Sequence, residues 1–124
     1  MIRKEERMLV GDNSDAKVVL CIHPNKRKNL FKKTSLGNFV KVTIKKKVSR
    51  RENIRGKVNW CLVGATKKKI VRASGESLRF SRSKALLVDE KRAKSMGTRV
   101  RGVLPREVRA SATPDVYRLA RRLV

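Results

Sequence analysis

The sequence is short of acids, of aromatics and of the residues that usually signal catalysis. Asp and Glu total 10 of 124 residues, against 34 Lys and Arg. A two-metal nuclease needs several carboxylates converging on one point. Here Asp12 and Asp15 fall in a turn, Glu107 falls among arginines, and Asp89-Glu90 is the only candidate pair. Adjacent acids at a strand end point apart. The single histidine, His23, precedes a proline at a strand end and reads as structural. No Ser or Cys occupies a nucleophile elbow, and the glycines form no Walker-type phosphate loop. The chain reads as a non-enzyme with no cofactor and no metal.

The other scarcities narrow the class further. No apolar run approaches the roughly 18–20 residues that span a bilayer, and no amphipathic stretch is long enough to argue for a membrane surface. The two cysteines, Cys21 and Cys61, sit inside apolar strand patterns and read as reduced, buried small hydrophobes. With one His they cannot build a zinc site. Aromatic residues number five, and most lie in core patterns. Single-strand binders of the stacking kind need exposed aromatics, as do RNA-recognition-motif sheets. Both are therefore disfavoured. The first residues, Met1 to Arg7, carry charges of both signs with no apolar stretch following, and resemble neither a signal peptide nor an organellar presequence.

What remains is charge. The net charge is +24. Self-repulsion at that level opposes compaction unless a polyanion surrounds the chain. Nucleic acid is the usual one. With bases unreadable by stacking, the mode left is recognition of backbone charge and shape, which suits structured RNA.

The pattern is that of a mainly β chain, one domain over residues 1–124, with the barrel roughly 1–90 and a basic loop and short helices roughly 91–124. Gly37 to Lys47 organises it. Val40, Val42 and Ile44 alternate with Lys41, Thr43 and Lys45, as in a half-buried strand. That strand ends in Lys45, Lys46 and Lys47, with Arg50 and Arg51 just beyond. Met8–Val10 and Lys17–Ile22 flank the turn signal Gly11–Asp15 and read as a hairpin. Val58–Ala65 reads as a strand buried on both faces, with Trp60 as a core anchor, and it too ends in cations, Lys67, Lys68 and Lys69. Ile70–Arg72 and Leu78–Phe80 flank Gly75 as a second hairpin, and Ala85–Val88 reads as the final strand. Short strands at this spacing fit a small barrel. Between His23 and Leu36 lies a loop or protruding ribbon carrying Lys26, Arg27, Lys28, Lys32 and Lys33, which its charge assigns to phosphate contact. After Asp89 comes a basic, glycine-punctuated loop containing Arg99 and Arg101. Pro105 starts one short helix. Thr113-Pro114-Asp115 starts another, with Val116, Leu119, Ala120 and Leu123 on one face.

Several motifs resemble the universal large-subunit ribosomal protein fourteen family. They are Leu9-Val10-x-Asp12-Asn13-Ser14-x-Ala16, Val40-x-Val42-Thr43-Ile44-Lys45, Gly75 with Leu78-Arg79-Phe80, and Gly97-Thr98-Arg99-Val100-Arg101-Gly102-Val103 followed by Arg106-Glu107-Val108-Arg109. They keep order and spacing over nearly the whole chain. The resemblance implies a five-stranded β-barrel with a projecting basic β-ribbon and a short helical C-terminal part. It implies assembly on large-subunit rRNA and a place at the subunit interface, touching small-subunit rRNA in intersubunit bridges. Arg50, Arg51, Gly97, Thr98 and Arg99 are the bridge candidates. It further implies large-subunit proteins three and nineteen as neighbours and a ribosome-silencing factor as a docking partner. Asp15 stands where the family pattern has Gly, and Ser81-Arg82-Ser83-Lys84 replaces a more acidic run. With the high basicity, these departures point to a mitochondrial ribosome, with a bacterial or plastid one as the alternative. Outside this family the residues fit a free-standing nucleic-acid-binding barrel in packaging or regulation.

Overall fold

The structure is a computed structural model that describes residues 1–24, 33–47, 58–89, 91, 94–110, 112 and 114–124. In chain order the elements are β1 (Ile2–Arg3), β2 (Arg7–Val10), β3 (Ala16–Pro24), β4 (Lys33–Thr34), β5 (Phe39–Lys47), β6 (Val58–Ala65), β7 (Ile70–Val71), β8 (Ser77–Leu78), β9 (Lys84–Val88) and β10 (Val100–Leu104). A 3-10 helix (Arg106–Ala110), α1 (Pro114–Tyr117) and β11 (Ala120–Leu123) complete the chain.

Five strands close into a barrel in the order β2-β3-β5-β6-β9. β2 and β3 form the expected hairpin, with Met8 opposite Val19. Closure comes from a parallel pairing of β2 with β9, Leu9 against Lys84 and Val10 against Ala85. No barrel strand is left with an open edge, which removes the usual route to edge-to-edge aggregation.

The alternation along the strands sorts apolar residues into two cores. Met8, Val19, Cys21, Val40, Val42, Ile44, Cys61, Val63, Ala85 and Leu87 fill the barrel interior. The intervening Leu62, Leu86 and Val88 point outward and are nevertheless buried. They are covered by the C-terminal segment, through Val100, Leu104, Val108, Ala112 and Val116. This second core explains why β6 reads as buried on both faces. Trp60 sits half-buried at its margin, with the Lys41 ammonium 5.2 Å from the ring centroid. Cys21 and Cys61 are free, buried thiols, and burial pushes the Cys21 thiol up to about 11.

The C-terminal part departs from expectation. Ala85–Val88 lies within β9, but β9 is not the last strand, because β10 and β11 follow. The helix that begins at Pro114 stops at Tyr117. Ala120–Leu123 is a strand parallel to β10, pairing Val100 with Ala120 and Leu104 with Leu123. A helix of two or three turns is marginal in water. Here the backbone groups beyond Tyr117 find partners in β10 instead, and the Val124 N–H donates to the Leu104 carbonyl (2.9 Å). The short helical start after Pro105 is present, as the 3-10 turn. The basic ribbon expected between His23 and Leu36 falls largely on residues 25–32, outside the described residues. Lys33 pairs through its backbone with Arg3 in the β1–β4 ladder.

Candidate nucleic-acid interface

The organising strand does more at its end than alternation predicts. In a regular strand Lys45 and Lys47 would face one way and Lys46 the other. The β3–β5 register shifts twice there. Ala16 pairs with Lys47, Val18 with Lys46 and Val19 with Ile44, so Lys17 is an extra residue on β3 and Lys45 an extra residue on β5. Bulges re-aim side chains in this way. As a result Lys45, Lys46 and Lys47 line one cleft of about 560 Å³ together with Lys17 and Arg7. Among the described residues, five cations and no acid face this space.

The cleft continues on both sides. Arg7 also lines a depression with Lys67, Arg82 and Ser83. Lys17 and Lys47 also line a depression with Asp12, Ser14 and Arg101. Arg101 in turn lines a further one with Asn13, Arg99, Gly102, Leu119 and Arg121. The four hollows share walls and form one basic belt from Lys67 to Arg121. Among the described residues its walls include no aromatic. Asp12, the single carboxylate on it among the described residues, is turned to internal use.

Asp12 is 2 % exposed. Its carboxylate accepts hydrogen bonds from the Leu87 N–H (2.9 Å), the Ser14 N–H (3.1 Å) and the Ser14 hydroxyl. Burial raises its pKa, and those hydrogen bonds work against the rise. Next to it, Asn13 Oδ1 accepts from the Thr98 N–H (2.7 Å) and the Arg99 N–H (3.0 Å), while its Nδ2 donates to Thr98 Oγ1 (2.8 Å). The Arg101 N–H donates to the Gly11 carbonyl (2.6 Å). The Gly11–Ser14 turn thus clasps the loop 97–101 to the barrel. The approach is close enough that a Cβ on Gly97 would lie 2.9 Å from both Asn13 Oδ1 and the Asp12 Cβ. Asp15, by contrast, needs no left-handed backbone, since Glu5 is the one non-glycine with positive φ among the described residues.

A second polar cluster secures the C-terminal layer. Arg72 donates to both oxygens of Glu107 (2.7 and 3.2 Å) and to the Val124 carbonyl (2.6 Å). The Arg72 hydrogen bonds hold the Glu107 carboxyl below its ordinary pKa.

Of the residues expected to touch RNA, Lys45, Lys46, Lys47, Lys67, Arg99 and Arg101 lie on the belt. Lys68 and Lys69 are exposed but line none of its hollows. Lys26, Arg27, Lys28, Lys32, Arg50 and Arg51 lie outside the described residues. Of the bridge candidates, Gly97 is buried against the clasp, while Thr98 and Arg99 are exposed. Arg7, Lys17, Arg82 and Arg121 were not expected. Arg7, Lys17 and Arg121 lie on β2, β3 and β11 and Arg82 just before β9, so no one stretch of sequence collects them; barrel closure, the two bulges and the β10–β11 pairing bring them together.

Over residues 1–124 the chain matches the family model described as ribosomal protein L14p/L23e. The match spans both the barrel and the C-terminal layer.

Proposed function

The chain belongs to the ribosomal protein L14p/L23e family, and from that premise we propose that its basic belt holds rRNA of the large subunit by backbone charge and shape. The observation that carries this reading is the continuity of the four hollows, each lined by cations and, among the described residues, free of aromatics. Side chains of that kind neutralise phosphates and offer no aromatic platform for bases. The protein's work is scaffolding: cations let negatively charged RNA helices approach one another. It breaks no bond, in keeping with a structural family.

Thr98 and Arg99, exposed at one end of the belt on the clasped loop, are the proposed contact with small-subunit rRNA at an intersubunit bridge. Arg50 and Arg51 extend that proposal on sequence grounds. Large-subunit proteins three and nineteen and a ribosome-silencing factor are the proposed protein partners. The mitochondrial ribosome is the proposed location, supported by the net charge of +24 and by the basic run at Ser81–Lys84.

Sucrose-gradient fractionation of the native source at stepwise salt tests the reading. Co-migration with the large subunit and with whole ribosomes, persisting into high salt, is expected. Sedimentation only at the top of the gradient, or with small ribonucleoprotein particles, would replace it with the free-standing nucleic-acid-binding barrel.

A further inference from the structure

We propose that Asn13 is a positioning residue for RNA binding: it sets the loop carrying Thr98, Arg99 and Arg101 in register with Lys17 and Lys47, so that two separate basic patches become one belt. The inference rests on the reading of the belt as the RNA-binding surface.

Three observations carry it. First, the loop lies far from the barrel turn in sequence and is held there both by a short backbone bridge, in which the Asn13 N–H donates to the Arg99 carbonyl (3.2 Å), and by the Asn13 side chain. Asn13 uses one oxygen for two successive amides, Thr98 and Arg99, and its nitrogen for the Thr98 hydroxyl. Second, Arg101 is the wall shared by the two hollows on either side of the turn, one containing Lys17 and Lys47, the other Arg99 and Arg121. Its backbone is tied to the same turn, through Gly11. Third, the turn itself is anchored in the barrel rather than on the surface. Asp12 reaches the Leu87 amide in β9, so the loop's position is referred to the closing strand.

An arginine on an untethered loop binds phosphate only after the loop has been ordered, and that ordering entropy is subtracted from affinity. The Asn13 side chain adds to the ordering by the backbone bridge, fixing the Thr98 and Arg99 amides before RNA arrives. Asn suits the place better than Asp for a chemical reason. It accepts from two amides, donates to a hydroxyl, and puts no negative charge beside Arg99 and the incoming phosphate.

The test compares Asn13→Ala, Asn13→Asp, Arg99→Ala and the double variant Asn13→Ala/Arg99→Ala. Binding to deproteinised large-subunit rRNA is titrated over a series of salt concentrations. Amide hydrogen exchange is followed at Thr98 and Arg99 and in the barrel strands. Asn13→Ala is expected to speed exchange at Thr98 and Arg99 while β3 and β5 stay protected. RNA affinity should fall about fivefold, what one cation near an anionic surface contributes. The salt slope should fall by about 0.7–0.9, one phosphate contact. The double variant should lose less affinity than the sum of the two single losses. Asn13→Asp keeps the acceptor and should restore slow exchange at both amides. Native affinity and slope in Asn13→Ala, or fully additive losses in the double variant, overturn the inference. If the native protein itself shows no salt-dependent binding to this RNA, the belt reading fails and the inference falls with it. If the native protein binds and only the Asn13 comparison is flat, the positioning role alone is lost.

Discussion

Replacing Lys45, Lys46 and Lys47 together by Gln is the perturbation whose size follows most directly from the structure. All three line the central cleft, Lys45 and Lys46 are exposed and Lys47 is half-buried, so the change removes charge without opening a core. Each phosphate contact contributes roughly 0.7–0.9 to the slope of log affinity against log salt. Loss of three contacts should therefore lower the slope by about 2.1–2.7. Between 50 and 200 mM salt, a fourfold range, that amounts to about a 20- to 40-fold narrowing of the affinity gap between native protein and variant. Fluorescence anisotropy with labelled large-subunit rRNA reads both quantities. The control is a charge-matched triple, Lys4→Gln, Arg79→Gln and Lys91→Gln. These residues are exposed and line none of the four hollows. The control should keep most of the native slope. If both triples reduce it equally, binding reflects the net charge of +24 spread over the surface, and the belt has no privileged role.

Further outcomes follow from the same structure. Gly97→Ala places a methyl group 2.9 Å from Asn13 Oδ1 and the Asp12 Cβ, and overpacking of this kind costs about 1–3 kcal/mol; urea unfolding should show it, with RNA affinity lowered as well. Leu104→Ala removes a fully buried side chain of the second core and should cost about 2–5 kcal/mol, with limited proteolysis cutting the C-terminal layer before the barrel. Glu107→Gln should destabilise the protein at neutral pH and lose that effect in acid. The Glu107 carboxyl is held below its ordinary value by Arg72, so its contribution is present above the unfolded carboxyl pKa of about 4.3 and disappears as pH falls through the lower folded value. A destabilisation of Glu107→Gln that grew on acidification would contradict the Arg72 latch.

The barrel was legible because its strands obey simple rules. Val40, Val42 and Ile44 alternate with polar residues, and turn residues fall between the strands. The C-terminal layer was not legible, because Val116, Leu119, Ala120 and Leu123 fit a helix face as well as they fit what they form. Only the presence of β10 as a partner decides for a strand. The belt was half legible. Runs such as Lys45–Lys47 and Lys67–Lys69 announce themselves, whereas Arg7, Lys17, Arg82 and Arg121 join only through register. Within the second run, Lys67 lies on the belt and Lys68 and Lys69 do not, a distinction no charge count contains. The motif Asp12-Asn13-Ser14 marked a turn, but the partner that the turn holds lies 85 residues away.

Lysine footprinting tests the central claim most directly. Free protein and isolated large subunits would be acylated under identical conditions, and each lysine read by mass spectrometry. Strong protection in the subunit is expected at Lys17, Lys45, Lys46, Lys47 and Lys67. Belt lysines that react as fast in the subunit as in the free protein would contradict it.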